Sequence, residues 1–464
     1  MALWILLLTL GAASLRLYHL GLKSFWVDEA FSIALAQFRW ADFRHALTNS
    51  EANMALYYVL LRIWSQMSDT PWFVRLLSVL AGVATVPAIY FAGKTLFSRR
   101  AGIIAALLLA LNGFHIRYSQ EARSYSLVVL LVTCSSLFFA RNIKSQGREG
   151  GVLYVLSSAA ALYAHFLAAL VLLAQLVSWM LLPRRLRTWN YARNLIAIAG
   201  MAFPLLLFIA FRGGSQLDWV SHPTPKDVYH LFTYFSGGGV RFVLFVLAAA
   251  LASREWWLQW KRHDGYSEKW PFVLVALWLL LPVFVTVLVS HWKPVFFARF
   301  LLVCLPASLL LFGQGLALIR SNWLRFAALL TVVCASLVAL RSFYRQPGEG
   351  DWKGAISYLA QNARSGDVLI FANPYCRFPF DYNLRMSGTR LPPMRLDPGR
   401  ADAARDFAPQ AQHLWVLCGS ESLPNGNVGP RGMPGFHFKR THRFPGADIQ
   451  EFEPIDEAHP AADD

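Results

Sequence analysis

Apolar runs long enough to cross a bilayer recur along this chain, near residues 2–22, 72–97, 101–118, 123–141, 151–167, 166–183, 194–212, 238–253, 271–290, 299–319 and 323–343. Nothing else in the sequence narrows the fold as far. Inside hydrocarbon every backbone N–H and C=O must be satisfied within its own segment, and a helix of about 20 residues does so while spanning the core. The runs predict an α-helical polytopic membrane protein with about 11 transmembrane helices. Charge content agrees, since only 15% of the 464 residues are Asp, Glu, Lys or Arg, against roughly 25% in soluble domains. Met1 to about Leu20 offers Gly11-Ala12-Ala13-Ser14 for signal-peptide cleavage, but no Lys or Arg precedes the apolar run, so it reads as an uncleaved first helix.

The net charge of +16 is topological. Its basic residues stand in alternate loops, at Arg99-Arg100, then Arg141, Lys144 and Arg148, then Arg184, Arg185 and Arg187, then Arg254, Lys261, Arg262 and Lys269, then Arg320 and Arg325. The positive-inside rule assigns these loops to the cytoplasm of a multi-pass inner (plasma) membrane protein. The N-terminus is then cytoplasmic, and the chain after Tyr344 extracytoplasmic. Clusters spread in this way do not make the single basic face that nucleic acid requires, so no nucleic-acid partner is expected.

The loop at about 23–70 should lie on the outer face. Its Ala55–Trp64 stretch is aromatic-rich and amphipathic, which suits interfacial helices. Beyond Tyr344 the composition turns polar and rich in Pro and Gly. A helix over 351–363, strands at 367–371 and 413–418, and a hairpin over 436–452 predict a small outer-face α/β domain. The division is 1–345 for the transmembrane domain and 346–464 for the extracytoplasmic one, whose last eight or so residues should be disordered. Cys376 and Cys418 could pair there in an oxidising compartment.

Three polar constellations interrupt the apolar background. Asp28 and Glu29 follow Phe25 and Trp26 just past the first run. Ionisable groups against a bilayer are costly and so candidates for function. A carboxylate half-removed from water suits a general base toward a hydroxyl, and adjacent helical residues point about 100° apart, so Asp28 takes that role and Glu29 orients a partner or substrate. The bland alternative is a helix-capping acid beside a solvated one. Arg117-Tyr118-Ser119-Gln120-Glu121-Ala122-Arg123-Ser124-Tyr125 is dense in polar groups; Arg117 and Glu121 can pair four apart, leaving Arg123 and the tyrosines for a ligand, unless this is only a charged turn. In His291-Trp292-Lys293-Pro294-Val295-Phe296-Phe297-Ala298-Arg299, Lys293 and Arg299 suit charge developing on a departing phosphate, unless they merely anchor the chain at the interface. His115, His165, His222 and His230 would ligate metal only if the fold gathers them. No metal-ligand spacing, Walker motif or Gly-rich dinucleotide pattern appears. No cofactor is expected, with a divalent metal left open.

Taken together, Trp26-Val27-Asp28-Glu29-Ala30, Leu56-Tyr57-Tyr58-Val59-Leu60-Leu61-Arg62-Ile63-Trp64, Gln120-Glu121-Ala122-Arg123-Ser124-Tyr125-Ser126-Leu127 and Ala298-Arg299-Phe300 resemble the bacterial branch of the dolichyl-phosphate-mannose protein mannosyltransferase superfamily. These are polytopic clan C glycosyltransferases, among them the aminoarabinose lipid A transferases, and the resemblance covers about 1–345. It implies a polyprenyl phosphate sugar as donor and a lipid, glycan or protein hydroxyl as acceptor. It further implies Asp28 as the catalytic base, assisted by Glu29, and Arg299, Lys293 and Arg123 on the donor phosphate. Tyr57, Tyr58, Glu121 and Tyr125 would then bind substrate. Asn53-Met54-Ala55 stands where a His or Pro pair commonly precedes the Leu-Tyr-Tyr run, which suggests a different acceptor. A lipid or oligosaccharide flippase, or a membrane scaffold without activity, would also account for many spans. Neither requires the acid pair, and the tail after Tyr344, which holds none of the three constellations, is expected to aid acceptor capture outside the chemistry.

Overall fold

The computed structural model describes residues 2–187, 189–212, 220–262, 265–346, 348–396, 413–418 and 435–455. The chain divides into two compact units. The first comprises residues 1–18, 38–64 and 75–343, and the second comprises 19–37, 65–74 and 344–464. Two pieces of the first outer loop, including Asp28 and Glu29, thus belong to the same unit as the C-terminal sheet.

Helices in chain order are α1 (Ala2–Leu17), α2 (Val27–Gln37), α3 (Trp40–Asn49), α4 (Ala55–Trp64), α5 (Pro71–Leu96), α6 (Arg99–Ala110), α7 (Gly113–Ser119), α8 (Tyr125–Lys144), α9 (Gly151–Ala164) and α10 (Ala168–Met180). After them come α11 (Trp189–Arg212), α12 (Pro225–Ser236), α13 (Val240–Lys261), α14 (Tyr266–Val289), α15 (Leu305–Ala317), α16 (Asn322–Arg345), α17 (Trp352–Asn362) and α18 (Arg377–Ser387). Each of the eleven apolar runs folds as helix. Among the described residues seven helices are long and apolar enough to cross a membrane: α5, α8, α11, α13, α14, the 300–317 segment and α16. An eighth span results if α6 and α7, bent by 61°, count as one. The shorter α1, α9 and α10 are apolar but fall below the length of the others. Between α11 and α12, residues 213–219 lie outside the described residues.

Close packing in the first unit rests on small residues. A Cβ on Gly93 would come within 2.6 Å of Gly102 Cα, and one on Gly102 within 2.5 Å of Tyr90 O, so α5 and α6 meet backbone to backbone. Lipid-embedded helices associate through contacts of this kind, because hydrocarbon offers them no hydrophobic driving force. The helices α5 and α8 run in the same direction. Ser126 Oγ donates to Ser78 O at 2.8 Å near one end, and Lys144 Nζ donates to Thr95 O near the other.

The second unit is built on a sheet of β1 (Val368–Phe371), β2 (Arg395–Leu396), β3 (Leu414–Cys418), β4 (Phe436–His442) and β5 (Asp448–Pro454), in the order β2-β1-β3-β5-β4. β1 pairs in parallel with β2 and β3, while β5 runs antiparallel to β3 and β4. The predicted helix, two strands and hairpin are all present. Trp352, Ile356 and Leu359 of α17, Leu369, Phe371, Phe380, Trp415, Leu417 and Ile449 form its core, with Val27 of α2 packed against them. Asp367 Oδ2 takes hydrogen bonds from Trp415 Nε1 at 2.8 Å and Arg364 N at 2.9 Å, which ties the start of β1 to β3. Cys376 is buried; the side chain of Cys418, its expected partner, lies outside the described residues, as does the expected disordered tail.

Candidate active site

Asn112 breaks the third apolar run. Its Oδ1 accepts from His115 N at 2.9 Å, capping α7 as a separate helix that leaves α6 at the 61° bend. Arg16 locks the corner: its guanidinium donates to Leu109 O at 3.2 Å, Ala110 O at 3.3 Å, Ala12 O at 3.1 Å and His115 Nδ1 at 2.8 Å. The cation therefore sits on the carbonyls that end α6, where the helix dipole is negative. α5 comes close alongside, since a Cβ on Gly82 would lie 2.2 Å from Ser119 Oγ. This corner presents the segment 117–125.

Arg117 Nε pairs with Glu121 Oε1 at 3.3 Å, as expected from their spacing. Arg123 is 9% exposed, its Nη1 donating to Tyr58 OH at 3.4 Å, with its guanidinium carbon 5.9 Å from the Tyr125 ring. Behind it, Ser78 Oγ donates to Arg123 O at 3.1 Å and lies 3.0 Å from Tyr57 OH. A serine hydroxyl has one proton, here given to the carbonyl, so Tyr57 is the donor to Ser78. Tyr57 is fully buried; it is positioned to support the loop that carries Arg123.

The segment after α14 reaches the same place. Arg299 lies over Phe297 at 4.9 Å and Phe300 at 5.9 Å, and Phe300 packs on His165 with centroids 5.3 Å apart. His165 is also 6.0 Å from Tyr125. The charges of both Arg123 and Arg299 act on His165, and those of Glu121, Arg117 and Arg299 act on Tyr118. Two sequence constellations thus converge at the break between α9 and α10. Lys293 begins the same loop, half-buried.

In the second unit, Asp28 and Glu29 occupy the first turn of α2, where the helix dipole favours negative charge. Glu29 is fully buried and Asp28 half-buried. Packing on α18 fixes α2. Phe25 stacks on Tyr382 at 4.5 Å and 9°, Phe31 meets Phe378 edge-on at 5.4 Å, and Asn383 Nδ2 donates to Phe25 O at 3.1 Å. Tyr382 in turn donates to Asp69 O at 2.7 Å.

Residues 54–211 match the dolichyl-phosphate-mannose-protein mannosyltransferase family. No curated protein sequence matches the chain. Among solved structures, ArnT from Cupriavidus metallidurans bound to undecaprenyl phosphate superposes with a TM-score of 0.58 at 12% identity, covering 97% of this chain and 98% of that one. ArnT in the apo state gives 0.56 at 11%, covering 97% of both chains. The Archaeoglobus fulgidus oligosaccharyltransferase AglB, in complex with an inhibitory peptide and a dolichol-phosphate, gives 0.54 at 12%, covering 90% of this chain and 69% of that chain.

The chain shares the fold of ArnT.

Within that fold, the four histidines are not gathered. His115 is held by Arg16, His222 Nδ1 lies 2.8 Å from Ser290 O, and no three His, Cys, Asp or Glu side chains among the described residues could hold a metal ion. Sequence reasoning passed over Arg16 and the contact that Asn53 makes. An arginine next to the last residue of an apolar helix reads as a snorkelling anchor, yet Arg16 is buried. Asn53 Oδ1 accepts from Phe166 N at 3.0 Å, so the departure at Asn53-Met54-Ala55 has a local consequence: it secures the His165 turn.

Proposed function

We propose that the protein is a polytopic membrane glycosyltransferase that moves a hexosyl or pentosyl group from a polyprenyl phosphate to an extracytoplasmic hydroxyl on a lipid, glycan or protein. The observation that carries this reading is the meeting of Arg123 and Arg299, from separate loops, around one buried imidazole. A guanidinium fork matches phosphate oxygens two at a time, so two arginines brought to one place by separate loops suit a phosphate. Lys293 on the same loop adds a point charge. The fold's occurrence in an undecaprenyl phosphate-bound ArnT and a dolichol-phosphate-bound AglB supports the lipid donor.

In the proposed mechanism Asp28 removes the proton from the acceptor hydroxyl as its oxygen attacks the anomeric carbon. The anomeric C–O bond breaks, the electron pair leaves with the polyprenyl phosphate, and Arg299, Arg123 and Lys293 stabilise that charge. Configuration at the anomeric carbon inverts. The half-exposure of Asp28 against the full burial of Glu29 favours the former as the base and leaves Glu29 to orient it. Tyr58, Glu121 and Tyr125 shape the substrate side of the cationic pocket, with Tyr57 behind them.

Purified protein in vesicles carrying labelled undecaprenyl phosphate sugars tests the reading. Asp28→Asn should keep donor binding and lose about 10²–10⁴-fold in transfer, the range of general-base catalysis. Arg299→Ala should weaken donor binding, with Arg299→Lys recovering part. Near-parental transfer by Asp28→Asn would remove the base from the mechanism, and transport without transfer would leave a flippase.

A further inference from the structure

His165 lies in the three-residue break between α9 and α10, 3% exposed. Its Nδ1 accepts the backbone N–H of Leu167 at 3.2 Å. An imidazole nitrogen that accepts a hydrogen bond carries no proton, so the ring is the tautomer with hydrogen on Nε2. Among the described residues that buried Nε2–H has no hydrogen-bond partner. The turn is doubly secured, because Asn53 accepts from the next amide, Phe166 N, at 3.0 Å, and Tyr125 and Phe300 hold the ring between them.

A buried donor left unpaired is disfavoured unless a ligand supplies its acceptor, and a merely structural cap would need Nδ1 alone. The unused atom is Nε2, on a ring that feels both guanidinium groups of the cationic pocket. His115 also has a buried Nε2 without a partner among the described residues, but the cation beside it, Arg16, is committed to backbone carbonyls.

We propose that His165 is a neutral donor-binding residue whose Nε2–H bonds to an anionic oxygen of the polyprenyl phosphate between Arg123 and Arg299. The assignment rests on the proposed lipid phosphate donor and adds a third, uncharged contact to it. A neutral N–H fits there because it recognises oxygen without adding a further positive charge, and because its tautomer is set before the ligand arrives.

Two variants separate the ring's two nitrogens. In His165→Asn the side-chain carbonyl reaches the place of Nδ1 and preserves the cap on Leu167, while nothing reaches Nε2. In His165→Gln the terminal amide reaches the Nε2 position. Binding of undecaprenyl phosphate, without sugar, to the purified full chain in detergent is measured for parent and both variants, alongside their thermal unfolding midpoints. A hydrogen bond to a charged group predicts about 10- to 100-fold weaker Kd for His165→Asn with an unchanged midpoint, and partial recovery in His165→Gln. Parental binding by His165→Asn, or equal loss in both variants with a lowered midpoint, overturns the role of Nε2 and leaves a structural cap. If the parent itself fails to bind undecaprenyl phosphate, the donor reading falls and this assignment falls with it.

Discussion

Replacing Ser78 tests whether the cationic pocket is held from behind. Its hydroxyl accepts from Tyr57 OH at 3.0 Å and donates to Arg123 O at 3.1 Å, at a fully buried position of α5. Ser78→Ala deletes both bonds while their partners remain buried. At about 1–3 kcal/mol per deprived group, the expected cost for the two is roughly 2–6 kcal/mol. Tyr57→Phe deletes only the phenol, and Ser78 still serves the Arg123 carbonyl, so about 1 kcal/mol is expected. In the double variant the phenol is no longer present to be deprived, so the cost should fall short of the sum by about 1–2 kcal/mol, within the range for residues in one network.

Unfolding of the purified protein in mixed micelles gives the three costs, and undecaprenyl phosphate affinity reports whether Arg123 has shifted. Ser78→Ala should weaken donor binding although Ser78 touches no ligand in this scheme. Additive costs would refute the chain from Tyr57 through Ser78 to Arg123. A Tyr57→Phe variant that lost transfer at unchanged stability would instead make Tyr57 a substrate contact, the role its sequence position suggested.

Removal of residues 345–464 should leave donor binding in place but abolish transfer, because α2 loses the Tyr382 stack and the Asn383 hydrogen bond that hold it; parental transfer by a folded truncation would refute this. A reporter active only in the cytoplasm, fused after Asp464, should be silent if the five basic loops orient the chain as the positive-inside rule requires, and its activity would reverse the proposed topology.

Hydropathy made the membrane region legible because lipid leaves the backbone almost no alternative to helix, β1 and β3 were legible as short continuous apolar runs, buried along their described length, and α17 because only one of its faces is buried. The breaks were harder to see. Residues 101–118 read as one run, since Asn112 and Gly113 are too few to interrupt it, yet one capping bond to His115 N turns the chain by 61°. α18 carries Pro379 in its first turn, where proline is tolerated but masks a helix from a sequence reader. Arg123, Glu121 and Arg299 stood out as charges between apolar runs. The Asn53 contact with Phe166 N spans 113 residues, and no local pattern announces a contact that distant.

The same limit applied to the tail. With no candidate residue in it, the C-terminal region read as an accessory for acceptor capture, separate from the chemistry. Its α18 packs against the helix that bears the acid pair. The proposed base would have to be held within about 0.5 Å of its working position, and α2, only 11 residues long, is too short to be a stable helix by itself in water. The Phe25–Tyr382 stack, the Asn383 bond to the Phe25 carbonyl and the Phe31–Phe378 contact supply the missing constraint. Chemistry-bearing side chains are recognisable from type and context, whereas the residues that aim them are ordinary aromatics and amides whose role exists only once the chain has folded.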